Sequence, residues 1–169
     1  AASGEDAAEI AAAIEDWRDE DDRQRPRGAE GFYYRSLSPP YECKDGPFEN
    51  VEELLLVRGV SSDIYHLLEP HVTVYGSGQV NLNTATRTVL EALGLSQAGV
   101  EGMRSFRAGE DDLEQTGDDR QLVSVSELES QLKPYVPVED LARLAQLATA
   151  GFVSARSTAF RVVIHARTA

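Results

Sequence analysis

A dense run of carboxylates follows the first predicted helix and is the part of the sequence best suited to chemistry. Five of the seven residues from position 16 to 22 are acidic: Asp16, Asp19, Glu20, Asp21 and Asp22. Like charges at this density repel one another, so the run lowers stability unless something neutralises it. Calcium is one candidate, because it takes about 6–8 oxygen ligands from carboxylates, carbonyls and water.

A turn at Gly28 would let Glu30 close such a cation site from the far side of the loop. The candidate ligands are therefore Asp19, Asp21, Asp22 and Glu30. Their spacing is not that of an EF-hand, which needs a glycine at loop position 6 and a glutamate at position 12. The alternative is a solvated acidic loop paired with its own arginines between positions 23 and 27. On the residues alone, that alternative is the favoured interpretation.

Composition limits the classes of partner. The chain has 169 residues, 41% of them hydrophobic and 27% charged, as in an ordinary soluble globular protein. Its formal net charge of -13 argues against general nucleic-acid binding, which needs a basic surface, and against adhesion to anionic lipid. The single cysteine, Cys43, excludes an intrachain disulfide and a cysteine-rich zinc site, and we expect it to be inert and half-buried.

Catalytic and membrane-spanning motifs are missing from the sequence. It has no glycine-rich phosphate loop, no nucleophile elbow and no histidine–carboxylate metal motif. The three histidines, His66, His71 and His165, have no carboxylate or cysteine partner at motif spacing. No run approaches the ~20 apolar residues that a transmembrane helix requires. The sequence therefore predicts a non-enzymatic protein.

Helical segments dominate the pattern that must position these residues. An alanine-rich helix is predicted from Ala7 to Trp17. A second helix begins after Asn50 and ends at Gly59, and a third covers Ser61 to Leu68. Together these two form a hairpin centred on Gly59.

The second half of the chain repeats this hairpin around Gly94, with a helix capped by Asn83 or Thr84 before it. Further helices are predicted near Leu128 and from Glu139 to Ala148. Alternating residues predict strands at His71–Tyr75 and Phe160–His165, the latter half-buried in an antiparallel sheet. The predicted domains are residues 1–78, 79–152 and 153–169.

The motifs together resemble the general secretion pathway protein K family, the large minor pseudopilins of bacterial type II secretion systems. They occur in family order over nearly the whole chain. The residues that carry the resemblance are the DW-D-DD stretch at 16–22, Gly28-Ala29-Glu30 with Tyr33-Tyr34, PPY-K-GPF at 39–48, EELLLVRGV at 52–60, the segment 70–74, VNLNTA at 80–85 and the closing S-F-V-I strand.

This resemblance implies a mainly α (α+β) fold, in which an inserted helical domain with tandem helix-hairpin-helix or SAM-like units accompanies short strands of a pilin-like sheet. It implies a protein anchored in the inner membrane by an N-terminal helix that this sequence lacks, with the present domain in the periplasm. The implied partners are minor pseudopilins I and J, together with secreted proteins. A tip position in the pseudopilus follows, with a role in initiating or capping the fibre and exporting folded proteins across the outer membrane. Calcium in the helical domain is also implied, which makes the calcium interpretation of the acidic run as strong as the solvated loop.

A helix-hairpin-helix DNA-binding module of the competence type is the competing class. VNLNTATRTVLEALGL, followed by Arg104 and Arg107, is similar to such hairpins. DNA-binding hairpins hold phosphates with glycine-rich turns and basic side chains. The turns at Gly59 and Gly94 lack paired glycines and have acidic neighbours. We therefore expect a shared architecture in a structural role, with no nucleic-acid partner.

Overall fold

The computed structural model describes residues 4–160, 164, 166 and 167, and within them the fold is mainly helical, as the sequence predicts. The chain forms two compact units, residues 1–74 and 75–169. The α-helices are α1 (Gly4–Arg18), α2 (Gly31–Arg35), α3 (Ser62–Leu68), α4 (Arg87–Ala92), α5 (Gln97–Arg107), α6 (Leu128–Leu132) and α7 (Val138–Thr149). Short 3-10 helices cover Val51–Leu56, Glu69–His71 and Val125–Glu127, and the strands are β1 (Val80–Asn81) and β2 (Val153–Ser154).

An aromatic cluster fills the core of the first unit. Tyr34 is fully buried, and the ring of Trp17 from α1 meets it edge-on with 5.0 Å between centroids. Tyr41 lies 5.4 Å from Tyr34 on another side, so the tyrosines near the Pro-Pro segment pack together. Edge-to-face pairs of this kind add about 0.5–1.5 kcal/mol beyond their buried area. The buried core of this unit is Ala13, Trp17, Ala29, Tyr34, Cys43, Leu54, Val57, Val60 and Tyr65.

The segment predicted as a helix after Asn50 is a 3-10 helix, Val51–Leu56. Asn50 and Glu53 form a reciprocal capping box at its start. Val51 and Leu54, three residues apart in this helix, pack in the core of the first unit, whereas Leu55 is 45% exposed. A 3-10 helix has three residues per turn, and this spacing puts the buried side chains on one line.

The second unit is built around α5 and α7. Met103 of α5 and Leu144 of α7 are fully buried. The helix predicted from Glu139 to Ala148 is confirmed as α7, which also buries Leu141 and Leu147. Its core consists of Leu82, Ala85, Leu90, Leu95, Val100, Met103, Phe106, Leu122, Leu128, Leu132, Val136, Leu141, Leu144, Leu147 and Val153.

Strands β1 and β2 pair in parallel, with Val80 opposite Val153. Asn83, predicted as a helix cap, instead links three segments: its side chain donates to the carbonyls of Leu122 and Ala155, both at 2.9 Å, and accepts from the Leu122 amide at 2.8 Å. The cap of α4 is Thr86, whose hydroxyl accepts from the Val89 amide. The predicted caps Asn83 and Thr84 were therefore wrong, because Asn83 pairs with distant backbone.

The strand prediction at His71–Tyr75 was also wrong. The segment His71–Tyr75 contains the end of a 3-10 helix followed by irregular backbone, with Val72 and Tyr75 exposed, so it has no buried face that would fix a strand. The strand predicted at Phe160–His165 falls mostly outside the described residues and stays a prediction; Phe160 and Ile164 are 82% and 84% exposed. Arg161, Val162, Val163 and His165 lie outside the described residues. The alternation there predicts a strand only if a neighbouring strand covers its apolar face.

Within the part of the chain that the structure describes, none of the helices has the length and apolar character needed to cross a bilayer.

Candidate metal centre

Glu30 is the most unusual carboxylate of the first unit. It lies at the N-cap of α2 and is 4% exposed, but its side chain does not cap that helix. Its two carboxylate oxygens are buried, and neither has a hydrogen-bond partner among the described residues. A buried carboxylate is normally paired, hydrogen-bonded or bound to a metal. The carboxylate of Glu30 is therefore suited to binding a cation.

Electrostatics around Glu30 favour the same conclusion. Burial, together with the negative charges of Asp16, Asp45, Asp19 and Asp22, raises the pKa of this carboxyl to about 7. A cation placed among these groups would reverse that shift, since it favours the ionised carboxylate.

Two residues of the segment after α2 lie beside Glu30. A cluster of potential metal ligands among the described residues consists of Glu30, Cys43 and Asp45. Each offers one ligand atom, and these three atoms lie within 4.8 Å of one another. Cys43 is 8% exposed, whereas Asp45 is exposed and so opens the cluster to solvent. Burial, with the adjacent Asp45 carboxylate, raises the pKa of the Cys43 thiol to about 12.

Arg25 neutralises the part of the acidic run nearest to α1. Its side chain pairs with Glu15 at 2.9 Å, with the fully buried Asp16 at 2.9 Å, and with Asp19. The backbone amide of Arg25 also donates to Asp16. Hydrogen bonds to these two aspartates raise the pKa of the Arg25 guanidinium above its usual range. This pairing is what the solvated-loop alternative predicts for part of the run.

Gly28 leaves the space that this arrangement needs. A Cβ atom at position 28 would lie 2.0 Å from Oδ2 of Asp16. The Gly28 carbonyl accepts from the Arg58 guanidinium at 3.0 Å and from the Gln24 amide at 2.7 Å. The predicted return of the chain at Gly28 therefore has specific contacts.

The predicted ligands lie in different environments. Asp19 is partly buried, and its Oδ1 atom is buried without a hydrogen-bond partner among the described residues. Asp21 is exposed, and its Oδ1 accepts from the Arg23 amide at 2.8 Å. Asp22 is exposed, and its negative charge helps to raise the pKa of the Glu30 carboxyl. Glu30 is thus the buried member of the predicted set, and the set as a whole remains a prediction.

Sequence reasoning missed Cys43 and Asp45 as neighbours of Glu30. No local pattern signals this approach, because the residues are separated in sequence and meet only through the fold of the first unit. The backbone of Asp45 is left-handed, with φ of 49°, a conformation that aspartate tolerates better than most residues.

The second hairpin carries the arginines on which the DNA-binding alternative depends, and these are engaged by acidic groups. Arg104 pairs with Glu101 at 3.1 Å and with Asp112 at 3.0 Å, and Arg107 pairs with Glu114 at 2.8 Å. These salt bridges therefore already neutralise the positive charge that binding to a phosphate backbone would require.

Comparison with known proteins confirms the resemblance inferred from the sequence. Residues 1–77 match the family model described as type II secretion system (T2SS), protein K. Type II secretion system protein K of Pectobacterium carotovorum subsp. carotovorum is 32% identical over 102 residues, covering 60% of this chain and 31% of the relative. The protein of that name from Aeromonas hydrophila is 36% identical over 102 residues, 57% of this chain and 31% of the relative. The chain thus spans about a third of the length of these curated relatives.

One solved structure has the same fold. It is the crystal structure of the GspK-GspI-GspJ complex from the type 2 secretion system of enterotoxigenic Escherichia coli, to which this chain is similar with a TM-score of 0.64. The match covers 92% of this chain and 51% of that chain, at 22% sequence identity. The comparisons give the DNA-binding alternative no support.

Proposed function

We propose that this chain, whose residues 1–77 match the type II secretion system protein K family, is a periplasmic part of a minor pseudopilin at the tip of the pseudopilus. The observation that carries the proposal is that family match. The likeness of 92% of the chain to a chain of a solved GspK-GspI-GspJ complex supports it. The role is structural, in initiating or capping the fibre and exporting folded proteins, with inner-membrane anchoring supplied by an N-terminal helix outside this sequence.

The size of the helical domain supports a tip position. Pseudopilins stack through N-terminal helices, so their globular domains lie side by side along the fibre. A domain with two compact units would collide with a subunit added above it. Such a protein fits where no further subunit follows.

The proposed partners are the pseudopilins I and J of the same secretion system, by analogy with the complex to which this fold is similar. The test mixes the purified chain with the soluble domains of its cognate I and J proteins and follows them by size-exclusion chromatography with light scattering. We expect one stoichiometric complex, and a monomer when the chain is alone. Separate elution of all three at micromolar concentration, with each protein folded by circular dichroism, would contradict the proposal for this domain.

We also propose that the two hairpins are tandem helix-hairpin-helix units in a structural role. Gly59-Val60-Ser61 and Gly94-Leu95-Ser96 occupy equivalent positions in the two copies. Both glycines have positive φ, 84° and 90°, and the serines Ser61 and Ser96 cap α3 and α5 with their side chains. Val60 and Leu95, the middle residues of these two Gly-x-Ser joints, are both buried. These shared features support one supersecondary unit used twice.

Calcium binding at the acidic loop is a further part of the proposal, with Asp19, Asp21, Asp22 and Glu30 as the ligands. Its support is that Glu30 and Asp19 both present buried carboxylate oxygens without a hydrogen-bond partner among the described residues. Oxygen ligands of this type suit calcium, with backbone carbonyls or water completing the shell. The ion would neutralise charge that Arg25 leaves uncompensated.

The calcium test is thermal melting in calcium and in chelator. At a hundredfold excess over the dissociation constant, calcium should stabilise the folded state by about 2.7 kcal/mol. Asp21→Asn and Glu30→Gln should lose this gain, whereas Glu20→Gln, which changes an acidic residue outside the proposed ligands, should retain it. Magnesium should substitute poorly, because it requires a smaller octahedral shell. Equal melting temperatures of the parent chain in both conditions would mean that calcium does not bind.

A further inference from the structure

Glu30, Cys43 and Asp45 combine two hard oxygen donors and one soft sulfur donor at one place. We propose that these three residues bind a thiophilic divalent cation of the zinc and cadmium class. The inference rests on the proposed cation site, because it shares the Glu30 carboxylate. It differs from calcium binding in its ligands, since calcium takes oxygen ligands and leaves the sulfur unused.

The distances fit a shared ion. The three donor atoms lie within 4.8 Å of one another. Ligands on one tetrahedral zinc ion lie roughly 3.5 Å apart, given metal–ligand bonds of about 2.0–2.3 Å. Side-chain rotations therefore suffice to bring the atoms onto one ion, and a water molecule can take the fourth position.

Each of the three residues meets a different requirement of such a metal site. Glu30 is 4% exposed, and neither of its carboxylate oxygens has a hydrogen-bond partner among the described residues. Cys43 places sulfur in a nearly dry environment, at 8% exposure. Asp45 is exposed and adjoins the thiol, so an ion can enter from solvent along its carboxylate. When the metal–sulfur bond forms, the thiol proton passes to solvent and the sulfur binds as thiolate.

The competing explanation is that Cys43 is a packed core residue with no ligand role. It belongs to the apolar core of the first unit, where a small hydrophobic side chain would serve equally well. That explanation accounts for the burial of Cys43 but leaves Glu30 buried and unpartnered beside it. A measurement specific to sulfur separates the two.

The experiment is a cadmium titration of the reduced 169-residue chain, followed by the ultraviolet cadmium–thiolate charge-transfer band. Because the sequence contains one cysteine, this band reports on Cys43 alone. We expect a saturable band at one cadmium ion per chain. Zinc should displace cadmium and so remove the band. Millimolar calcium should leave the band unchanged as long as cadmium binds more tightly than calcium. Cys43→Ser should abolish the band, and Asp45→Asn should weaken cadmium binding by about tenfold or more, which is 1.4 kcal/mol.

Glu20→Gln serves as the matched control, because it removes an acidic residue of the same unit outside the cluster and should leave the titration unchanged. Absence of the band in the folded parent chain overturns the inference, whatever calcium does. A band that Asp45→Asn and Glu30→Gln leave at full affinity also overturns it, since the thiol would then bind without the carboxylates. A cadmium band without any calcium stabilisation would remove the calcium proposal and retain this one.

Discussion

Asp140 of α7 accepts hydrogen bonds from both the amide and the hydroxyl of Ser96, at 2.8 and 2.6 Å. Ser96 is the N-cap of α5, so the carboxylate of a distant helix lies at the start of this one. Helix N-termini attract anions, and DNA-binding hairpins offer that position to phosphate. Here the protein supplies its own anion.

Replacing Asp140 with alanine should therefore destabilise the protein. The change removes a buried carboxylate that accepts two hydrogen bonds from Ser96. Hydrogen bonds to a charged group contribute about 1.5–3 kcal/mol to the free energy of unfolding, so a loss of this size is expected. Urea denaturation measures this loss. Glu139→Ala, which changes the exposed neighbour, is the control and should shift stability by much less. A midpoint for Asp140→Ala equal to that of the control would show that the contact contributes little.

Duplex DNA should not bind measurably at physiological salt. The net charge is -13, and the arginines of the second hairpin are paired with acidic groups. Non-specific DNA binders reach dissociation constants of roughly 0.1 mM or tighter under these conditions. Fluorescence anisotropy with a labelled duplex, over a range of salt concentrations, checks this. Salt-dependent binding at micromolar protein would favour the DNA-binding module over the pseudopilin.

Gly28→Ala should disturb the acidic loop. The added Cβ would lie 2.0 Å from the Asp16 carboxylate, which is fully buried and paired with Arg25. Overpacking of this kind typically costs about 1–3 kcal/mol. Gly117→Ala is the control, because a Cβ there meets no atom within 4 Å. If both variants unfold at the same denaturant concentration as the parent, the Gly28–Asp16 contact does not constrain the loop.

The stability of the metal-free protein should fall between about pH 4.5 and pH 7 through Glu30. Burial raises the pKa of this carboxyl to about 7 in the folded state, from 4.5. Within that window the folded protein retains a proton that the unfolded chain has released, so raising the pH favours unfolding. Denaturation in chelator at several pH values, for the parent and for Glu30→Gln, isolates this contribution. Parallel pH profiles for the two proteins would falsify the assignment.

Local signals predicted much of the helical fold. Asn50 caps the 3-10 helix that follows it, the helix predicted from Ser61 begins one residue later with Ser61 as its cap, and the helix predicted from Glu139 to Ala148 is α7. The distinction between an α-helix and a 3-10 helix at Val51–Leu56 was missed. The consecutive leucines at 54–56 are compatible with the period of either helix type. The structure buries Leu54 and leaves Leu55 exposed, as the three-residue period of a 3-10 helix requires.

Long-range pairing limited the prediction of the site. The acidic run drew attention to Asp19, Asp21 and Asp22, and the return to Glu30 was foreseen from Gly28. The approach of Cys43 and Asp45 to Glu30 depends on how the chain folds back across α2, which no local pattern specifies. Asn83 was misassigned for the same reason, since its partners Leu122 and Ala155 are far along the chain.

The Gly-x-Ser joint that recurs in the two hairpins bears on ancestry. Equivalent glycines, buried middle residues and capping serines are what duplication of one ancestral hairpin, followed by divergence, would leave behind. The two hairpins differ in detail: the first begins with a 3-10 helix where the second has α4, and Asp140 accepts a hydrogen bond from the serine of the second. A helical domain of this size could thus arise by copying a small unit in place, without recruitment of an unrelated domain.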